Sequence, residues 1–321
     1  MNDIATNAPT EDHPLLEIRD LRVAYPGRGF RKRPIEILHG VSLDVRAGET
    51  VGLVGESGSG KSTLGRATLG LAPVTGGSIT LDGEEIAHAS RARRRALSVD
   101  LQVIFQDPYS SLSPSLTIGD TLAEPLRARG VSGKDAARKV RDLLDMVHLP
   151  VDAAERLPRE FSGGQRQRVA IARAVALEPR LIVCDEPVSA LDLTTQARIL
   201  DLLLEVQERT GVAYLFVSHD LNVVRVLCHR VAVMRAGEIV ECGDGDIVTS
   251  NPTHPYTRRL LLASPVADPA TQAERRTLLQ STALNSAAPE PDQKELHDTR
   301  SFALTQRSQP RSRGRRRSQR P

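Results

Sequence analysis

The segment GESGSGKS at residues 55–62 constrains the fold more than any other feature of the sequence. It fits the pattern GxxxxGK[ST] and follows a short apolar run at residues 50–55, which is typical of a strand buried on both faces. A helix is expected to begin near Lys61. Glycines let backbone N–H groups turn toward phosphates, and the helix N-terminus adds partial positive charge. This context favours a phosphate-binding loop over a merely flexible glycine-rich turn.

Each residue type in the loop has a chemical reason to be there. Lys61 is expected to reach the β and γ phosphates of a nucleotide, and Ser62 is expected to ligate Mg²⁺. The loop therefore predicts ATP and Mg²⁺ as cofactors. Its predicted nucleotide-binding residues are Gly55, Ser57, Gly58, Gly60, Lys61, Ser62 and Thr63.

Two carboxylates follow a second apolar run, LIVC at residues 181–184. Ligands of open α/β folds bind at the carboxyl edge of the parallel sheet, where this strand would end. Asp185 is expected to join the Mg²⁺ shell, and Glu186 is placed to deprotonate an attacking water as general base. A strand that ends in two acids is commonplace by itself, so this assignment depends on the phosphate loop upstream.

The segment FSGGQRQR at residues 161–168 is unusual as a helix start, because glycine disfavours the helix that it opens. Ser162 is a suitable N-cap, which leaves the amides of Gly163 and Gly164 available to an anion. The alternative is a tight turn between two parts of the fold.

The remaining pattern indicates an α/β fold. Alternating residues at 15–25 and 37–45 predict an antiparallel β region, and helical spacing appears at 136–147 and 194–209. Buried strands alternating with helices imply a parallel sheet covered on both faces. A further helix at 164–177, a buried strand at 212–217 and a hairpin from 231–234 and 238–241 complete this prediction.

Composition and charge exclude several classes. With 40% hydrophobic and 26% charged residues the chain is of ordinary globular type, and 3% aromatic residues without tryptophan disfavour a base-stacking platform. The net charge of +3 depends on seven arginines in residues 301–321; residues 1–300 hold 36 basic and 40 acidic residues, a net charge of about −4. No specific nucleic acid is therefore expected as a partner. Three cysteines without CxxC spacing suggest neither a disulfide framework nor a zinc site.

Taken together, SGGQ upstream of a strand ending in DE, with GESGSGKS before both, resembles the nucleotide-binding domain of ATP-binding-cassette (ABC) ATPases over residues 15–262. The resemblance implies a P-loop NTPase fold with a RecA-like parallel sheet core, an antiparallel β subdomain and a helical subdomain that carries the signature motif. It also implies a head-to-tail dimer, in which Ser162, Gly163 and Gly164 serve the ATP of the partner.

Four further positions follow from the resemblance. Tyr25 resembles the aromatic that stacks on adenine, and a half-buried strand tyrosine is its structural alternative. Gln106 resembles the Q-loop glutamine, which contacts Mg²⁺ or water and senses the transport partner. Asp192 ends SALD, which resembles the D-loop at the dimer interface, and His219 resembles the H-loop histidine at the γ-phosphate. The implied catalytic residues are Glu186, His219 and Gln106, and the implied metal ligands are Ser62, Gln106 and Asp185.

A narrower resemblance rests on NPTHPYT at residues 251–257, together with FQDPYSSLSP at 105–114 and GESGSGKS at 55–62. These segments look like those of the F-type ATP-binding subunits of oligopeptide and dipeptide importers. That group also includes nickel and glutathione uptake systems. The implied partners are two membrane permeases, a second ATPase in a homo- or heterodimer and an extracytoplasmic substrate-binding protein. No run of 18 apolar residues occurs, so the implied location is the cytoplasmic face of the membrane, reached through partners.

The predicted organisation has four parts: a flexible arm at 1–14, the ATPase domain at 15–250, an HPYT extension at 251–265 and an arginine-rich, disordered tail at 266–321. Two alternatives stay open. A soluble ABC ATPase of nucleic-acid metabolism would use the same motifs, although it usually has two cassettes or a long coiled-coil insertion. A GTPase would need an NKxD-like segment, which is not found.

Overall fold

The computed structural model describes residues 13–27, 33–107 and 112–263. The strands in these ranges are β1 (Leu16–Tyr25), β2 (Ile35–Val45), β3 (Thr50–Val54), β4 (Val74–Leu81), β5 (Glu84–Glu85), β6 (Leu101–Ile104), β7 (Leu181–Asp185), β8 (Ala213–Val217), β9 (Arg230–Arg235) and β10 (Glu238–Asp244).

The helices in the same ranges are α1 (Lys61–Thr68), α2 (Arg91–Leu97), α3 (Ile118–Ala128), α4 (Gly133–Met146), α5 (Gly163–Val175), α6 (Leu193–Thr210), α7 (Leu221–Leu227), α8 (Gly245–Ser250) and α9 (Pro255–Ala263). Short 3₁₀ turns lie at Val151–Glu155 and Pro158–Glu160. None of the helices described combines the length and apolar character that a bilayer span requires.

The larger sheet has six strands in the order β10-β9-β3-β8-β7-β6. Strands β9, β3, β8, β7 and β6 are mutually parallel, and β10 returns antiparallel at one edge. Every residue of β3 and β8 is buried, as expected for central strands covered on both faces. The continuous apolar runs of the sequence are therefore explained by their central place in this sheet.

The smaller sheet has four strands in the order β2-β1-β4-β5, and its pairs are antiparallel. One face of β1 and β2 supplies the core with residues such as Leu21, Val23 and Leu38, while charged residues alternate with them on the other face. The two sheets share one hydrophobic cluster, which includes Leu53 of β3 and Leu215 of β8. The antiparallel region is thus packed on the parallel core.

A second cluster joins the other face of the large sheet to α3, α4 and α5. The apolar stripe of α4, with Ala136, Val140, Leu143 and Leu144 buried, is the one that the helical spacing predicts. Ser132 caps α4, so the helix begins three residues before the predicted start at 136. Helix α5 begins one residue early and ends at Val175; Glu178, before Pro179, has a positive φ and lies outside the helix.

The predicted organisation of the termini lies mostly outside the described ranges. This applies to the arm, apart from residues 13 and 14, and to the tail at 266–321. Residues 251–263 of the proposed extension are described, and Tyr256 is part of the same core cluster as α5 and β7. The boundary at 250/251 stays a prediction.

Candidate nucleotide-binding site

The predicted site residues converge because four parallel strands end at one edge of the sheet. The phosphate loop follows β3, and His219 follows β8. Asp185 is the last residue of β7, and Glu186 comes directly after it. Since β3, β8 and β7 are adjacent and parallel, these segments lie side by side. Gln106 follows β6, the next strand outward, at the same edge. The topology therefore creates one site from residues more than a hundred positions apart.

Close backbone approach explains the glycines at both ends of the phosphate loop. Gly55 has φ 151°, and a Cβ there would lie 2.2 Å from the carbonyl oxygen of Met234 in β9. Gly60 has φ 107°, and a Cβ there would lie 2.8 Å from Cδ2 of Leu38 in β2. The loop is thus held between two strands. Gly60 is the N-cap of α1 and has no side chain that could bond the first amides of this helix.

Lys61 is buried within the phosphate loop, and only 4% of its surface is exposed. Its Nζ donates to the carbonyl oxygens of Gly55 at 2.7 Å and Glu56 at 2.9 Å. Burial lowers the pKa of Lys61 below its ordinary value, and the carboxylates of Glu186, Asp185 and Glu56 offset part of that effect. A phosphate at the loop would favour the charged ammonium, because an adjacent opposite charge raises a lysine pKa.

Ser62 and Asp185 form a direct contact across 123 residues of sequence: Oγ of Ser62 donates to Oδ1 of Asp185 at 2.8 Å. A hydroxyl and a carboxylate are the hard oxygen ligands that Mg²⁺ accepts, and Mg²⁺ is commonly held by one or two protein oxygens together with substrate phosphates. Within the described ranges no cluster of three or more His, Cys, Asp or Glu side chains could form an all-protein metal cage. The donor set fits a metal that arrives with the nucleotide.

Glu186 and His219 face each other at the mouth of the site. Oε2 of Glu186 lies 3.1 Å from Nδ1 of His219, and the side chains are 18% and 58% exposed. Glu186 has φ 49°, a left-handed conformation that is unfavourable for a residue with a side chain. Its N–H donates to the carbonyl of Val217 at 3.0 Å, and its own carbonyl accepts from the hydroxyl of Ser189. The backbone is therefore fixed on both sides of the strained residue.

Gln106 and Tyr25 flank this centre. Gln106 is exposed two residues after the end of β6, and Tyr25 is half-buried at the end of β1. Two residues before Tyr25, Val23 pairs with Leu38, the residue that packs against Gly60 of the phosphate loop. Tyr25 therefore lies on β1, the neighbour of the strand β2 that contacts the phosphate loop. Gln106 follows β6, which is separated from β8 by β7 alone.

The SGGQ segment has the cap that its sequence predicts. Ser162 is the N-cap of α5; its Oγ accepts from the N–H of Gln165 at 3.3 Å, and Oε1 of Gln165 accepts from the N–H of Ser162 at 2.9 Å. The first amides of a helix, here those of Gly163 and Gly164, have no intrahelical partner. A Cβ at Gly164 would lie 2.4 Å from Cγ2 of Thr195, so this glycine also permits α5 and α6 to approach.

Asp192 has a role within the chain that the sequence analysis did not anticipate. It is the N-cap of α6: Oδ1 accepts from the N–H of Thr195 at 2.9 Å and Oδ2 from its hydroxyl at 2.7 Å. These hydrogen bonds, led by the one from the Thr195 N–H, hold the pKa of Asp192 below its ordinary value. Asp192 therefore positions the start of α6 whether or not a partner is present.

The sequence analysis did not predict one contact of the phosphate loop, which comes from the HPYT segment. The hydroxyl of Tyr256, in the HPYT segment, accepts a hydrogen bond from the N–H of Glu56 at 3.1 Å. The HPYT letters mark a subfamily, but a contact over 200 residues leaves no spacing signal in a single sequence.

Comparison with known proteins identifies the family. The sequence matches the ABC transporter family over residues 38–189. It is 52% identical over 274 residues, 84% of this chain, to the glutathione import ATP-binding protein GsiA of Escherichia coli K12, and 51% identical over the same length to GsiA of Shigella boydii serotype 4.

The chain belongs to the ABC transporter family.

The chain spans 44% of the length of these curated relatives. Among solved structures, the ATP-binding cassette MJ0796, in a dimeric post-hydrolysis state with ADP and Pi, is 30% identical with a TM-score of 0.64; the match covers 71% of this chain and 98% of that one. The cbiO1 protein of Clostridium perfringens, part of the transporter complex cbiONQ, is 25% identical with a TM-score of 0.67, covering 74% and 91%. The family and the ABC fold predicted from the sequence are thus confirmed.

Proposed function

We propose that this chain hydrolyses ATP to drive solute import, as the ATPase subunit of an ABC transporter. The observation that carries the proposal is the shared edge where the Lys61 loop, the Ser62–Asp185 pair and the Glu186–His219 pair lie on adjacent parallel strands. This arrangement has a phosphate cradle, oxygen ligands for Mg²⁺ and a carboxylate beside them. Bound Mg²⁺ would neutralise charge on the β and γ phosphates.

The chemistry requires a base and a means to hold the γ-phosphate. Glu186 accepts a proton from water while the water oxygen forms a bond to the γ-phosphorus and the bond to the β-phosphate oxygen breaks, which gives ADP and phosphate. Lys61 supports the charge on the β and γ phosphates, and His219 contacts the γ-phosphate. Gln106 orients water or Mg²⁺, and Tyr25 stacks on adenine.

Hydrolysis in this proposal requires a second ATPase subunit, identical or homologous, in head-to-tail orientation. Ser162, Gly163 and Gly164 then face the ATP of the partner, and Asp192 lies at the interface. The exposed position of Ser162 and the open N-terminal amides of α5 support this role. The dimeric state of the similar MJ0796 cassette supports it as well.

A groove beside Gln106 supports contact with a permease. It has a volume of about 1020 Å³ and lies between the edge strand β6, α2, α3 and α5. Phe105, the neighbour of Gln106, lines it and is 41% exposed. Arg95, Arg129 and Arg173 line it together with Glu124, which pairs with Arg173 at 3.0 Å, so the charge of its walls is net positive and favours an acidic segment. We assign this groove to a short helix of the permease, which transmits opening and closing of the dimer.

The transported solute is proposed to be an oligopeptide or dipeptide, with glutathione or nickel import as alternatives within the same subfamily. The similar GsiA proteins are named for import of glutathione, itself a short peptide. Two permeases, an extracytoplasmic substrate-binding protein and location at the cytoplasmic face of the membrane complete the proposal.

Reconstitution tests the proposal. Permease with loaded binding protein should stimulate ATP hydrolysis several-fold, whereas DNA, RNA or ribosomes should not. Ala128→Trp, which places bulk in the groove from α3, should reduce this stimulation without changing basal hydrolysis. Ala137→Trp is the matched control, because Ala137 lies at an exposed position of α4 outside the groove. Stimulation by nucleic acid and not by permease would favour a soluble ABC ATPase.

A further inference from the structure

Tyr256, in α9, forms a hydrogen bond to Glu56 of the phosphate loop from 200 residues away in the sequence. It is 4% exposed, and the guanidinium of Arg235 lies over its ring, 5.3 Å from the centroid. The hydroxyl oxygen accepts from the Glu56 N–H at 3.1 Å. A tyrosine fixed on both its ring and its hydroxyl can set the position of the group that it contacts.

Glu56 is the residue through which such positioning would reach the chemistry. Its carbonyl oxygen accepts from Nζ of Lys61 at 2.9 Å and from the N–H of Ser59 at 3.2 Å. The two peptide groups of Glu56 are thus held, one by Tyr256 and the other by the loop's own lysine. A rotation at Glu56 would move an acceptor of Lys61 and the entrance to the loop together.

The segment that carries Tyr256 is itself tied to the sheet. The carboxylate of Glu241 in β10 accepts from the N–H of Thr253 at 2.6 Å, the hydroxyl of Thr253 at 2.7 Å and the N–H of His254 at 3.2 Å. Nδ1 of His254 accepts from the N–H of Tyr256 at 3.1 Å. Residues 253–256 therefore form a hydrogen-bonded N-terminus of α9. These hydrogen bonds fix the direction of the Tyr256 hydroxyl.

We propose that Tyr256 is a positioning residue of the nucleotide site, which holds the Glu56 peptide so that the phosphate loop is preformed for ATP. This inference rests on the proposed nucleotide-binding function. It gives the HPYT segment a physical task in nucleotide binding, distinct from any contact with the transported solute.

The test compares two tyrosine hydroxyls in the full chain. Tyr256→Phe removes only the acceptor for Glu56. Without this acceptor the Glu56 peptide can leave the binding-competent geometry. Because one hydrogen bond contributes about 1 kcal/mol, Mg-ATP affinity measured by calorimetry should fall roughly 3- to 10-fold. Tyr214→Phe removes a buried hydroxyl that donates to the carbonyl of Leu203 at 3.1 Å, away from the loop. It should lower the thermal midpoint and leave Mg-ATP affinity unchanged.

Glu241→Gln provides a second variant, which keeps Tyr256 but weakens the acceptor that fixes α9. It should reduce Mg-ATP affinity in the same direction, and by less than additively when combined with Tyr256→Phe. Unchanged affinity in Tyr256→Phe, or a loss matched by Tyr214→Phe, would overturn the inference. Absence of Mg-ATP binding in the unmodified chain would overturn the proposed function itself.

Discussion

Glu186 and His219, 33 residues apart in sequence, lie with carboxylate Oε2 and imidazole Nδ1 3.1 Å from each other. The contact joins the ends of two adjacent parallel strands, β7 and β8. It places an acid and a histidine beside the loop that holds Lys61, where ATP hydrolysis would require them.

If Glu186 is the general base, Glu186→Gln should preserve nucleotide binding and lower turnover by roughly 10²- to 10⁴-fold. The amide keeps the shape of the side chain but is a far weaker proton acceptor. ATP hydrolysis assayed with the permease present measures the effect. A rate of the Glu186→Gln variant above a tenth of wild type would show that Glu186 is not the general base. Glu205→Gln is the matched control, because Glu205 pairs with His148 on the surface at 2.7 Å.

Lys61→Ala should abolish measurable hydrolysis and weaken ATP binding by at least about tenfold, since it removes the cation that we propose meets the β and γ phosphates. The backbone cradle would remain. Titration calorimetry measures the affinity, and circular dichroism verifies the fold. Lys139→Ala, which removes a half-exposed lysine paired with Glu178 on the surface, should bind ATP normally. Unchanged affinity in Lys61→Ala would mean that the loop does not hold phosphates.

A dimer assembled from one Ser162→Arg chain and one wild-type chain should lose one of its two hydrolysis sites. The lost site is the one that the altered signature covers, because the arginine side chain would occupy the space in front of the α5 amides. ATP affinity of isolated monomers should stay within about twofold of wild type. If monomer affinity fell as far as dimer turnover, the signature would act within its own chain.

Acid should weaken the junction between the two sheets. Arg230 of β9 donates to Asp44 of β2 at 2.8 Å and to Glu49 at 3.2 Å. The hydrogen bond from Arg230 holds the pKa of Asp44 below its ordinary value. A folded-state pKa below the unfolded one contributes stability above the unfolded pKa, near 4, which is lost as pH falls through the folded value.

Asp44→Asn should therefore lower the free energy of unfolding at pH 7 by about 1 kcal/mol, a small value because the pair is partly exposed. The difference from wild type should shrink when the pH is lowered from 7 to well below 4, as the Asp44 carboxylate takes up a proton in the folded protein. Urea unfolding at both pH values measures it. An equal difference at both would show that the Asp44 charge does not contribute.

The sequence predicts those parts of the fold whose signal is local. Central strands such as β3 and β8 read as continuous apolar runs because both faces are buried, and Ser162 and Gly211 mark helix ends by their own chemistry. Strand β4 was not predicted, because Gly76 and Gly77 interrupt its pattern. Gly77 is there for a reason that only tertiary structure reveals: a Cβ would lie 2.4 Å from the carbonyl oxygens of Arg19 and Asp20.

The candidate site shows the same division. Motif spacing located the phosphate loop and the two acids, because each follows or ends its own strand, whereas His219 was assigned from the family resemblance. Helix α3, with Pro125 inside it, was not predicted, and the groove that it lines depends on how α2, α3, α5 and β6 pack together. The contact between Tyr256 and Glu56 depends on where α9 packs, so no local pattern could reveal it.

The left-handed backbone at position 186 means that a glutamate there lowers the stability of the folded protein relative to glycine. A side chain at such a φ costs roughly 1–2 kcal/mol, which glycine would avoid. A laboratory search for thermostable variants that screens only for folding is therefore expected to favour glycine at position 186. Its most stable products would be well-folded proteins without the carboxylate that faces His219, so thermal resistance and turnover must be screened together in this chain.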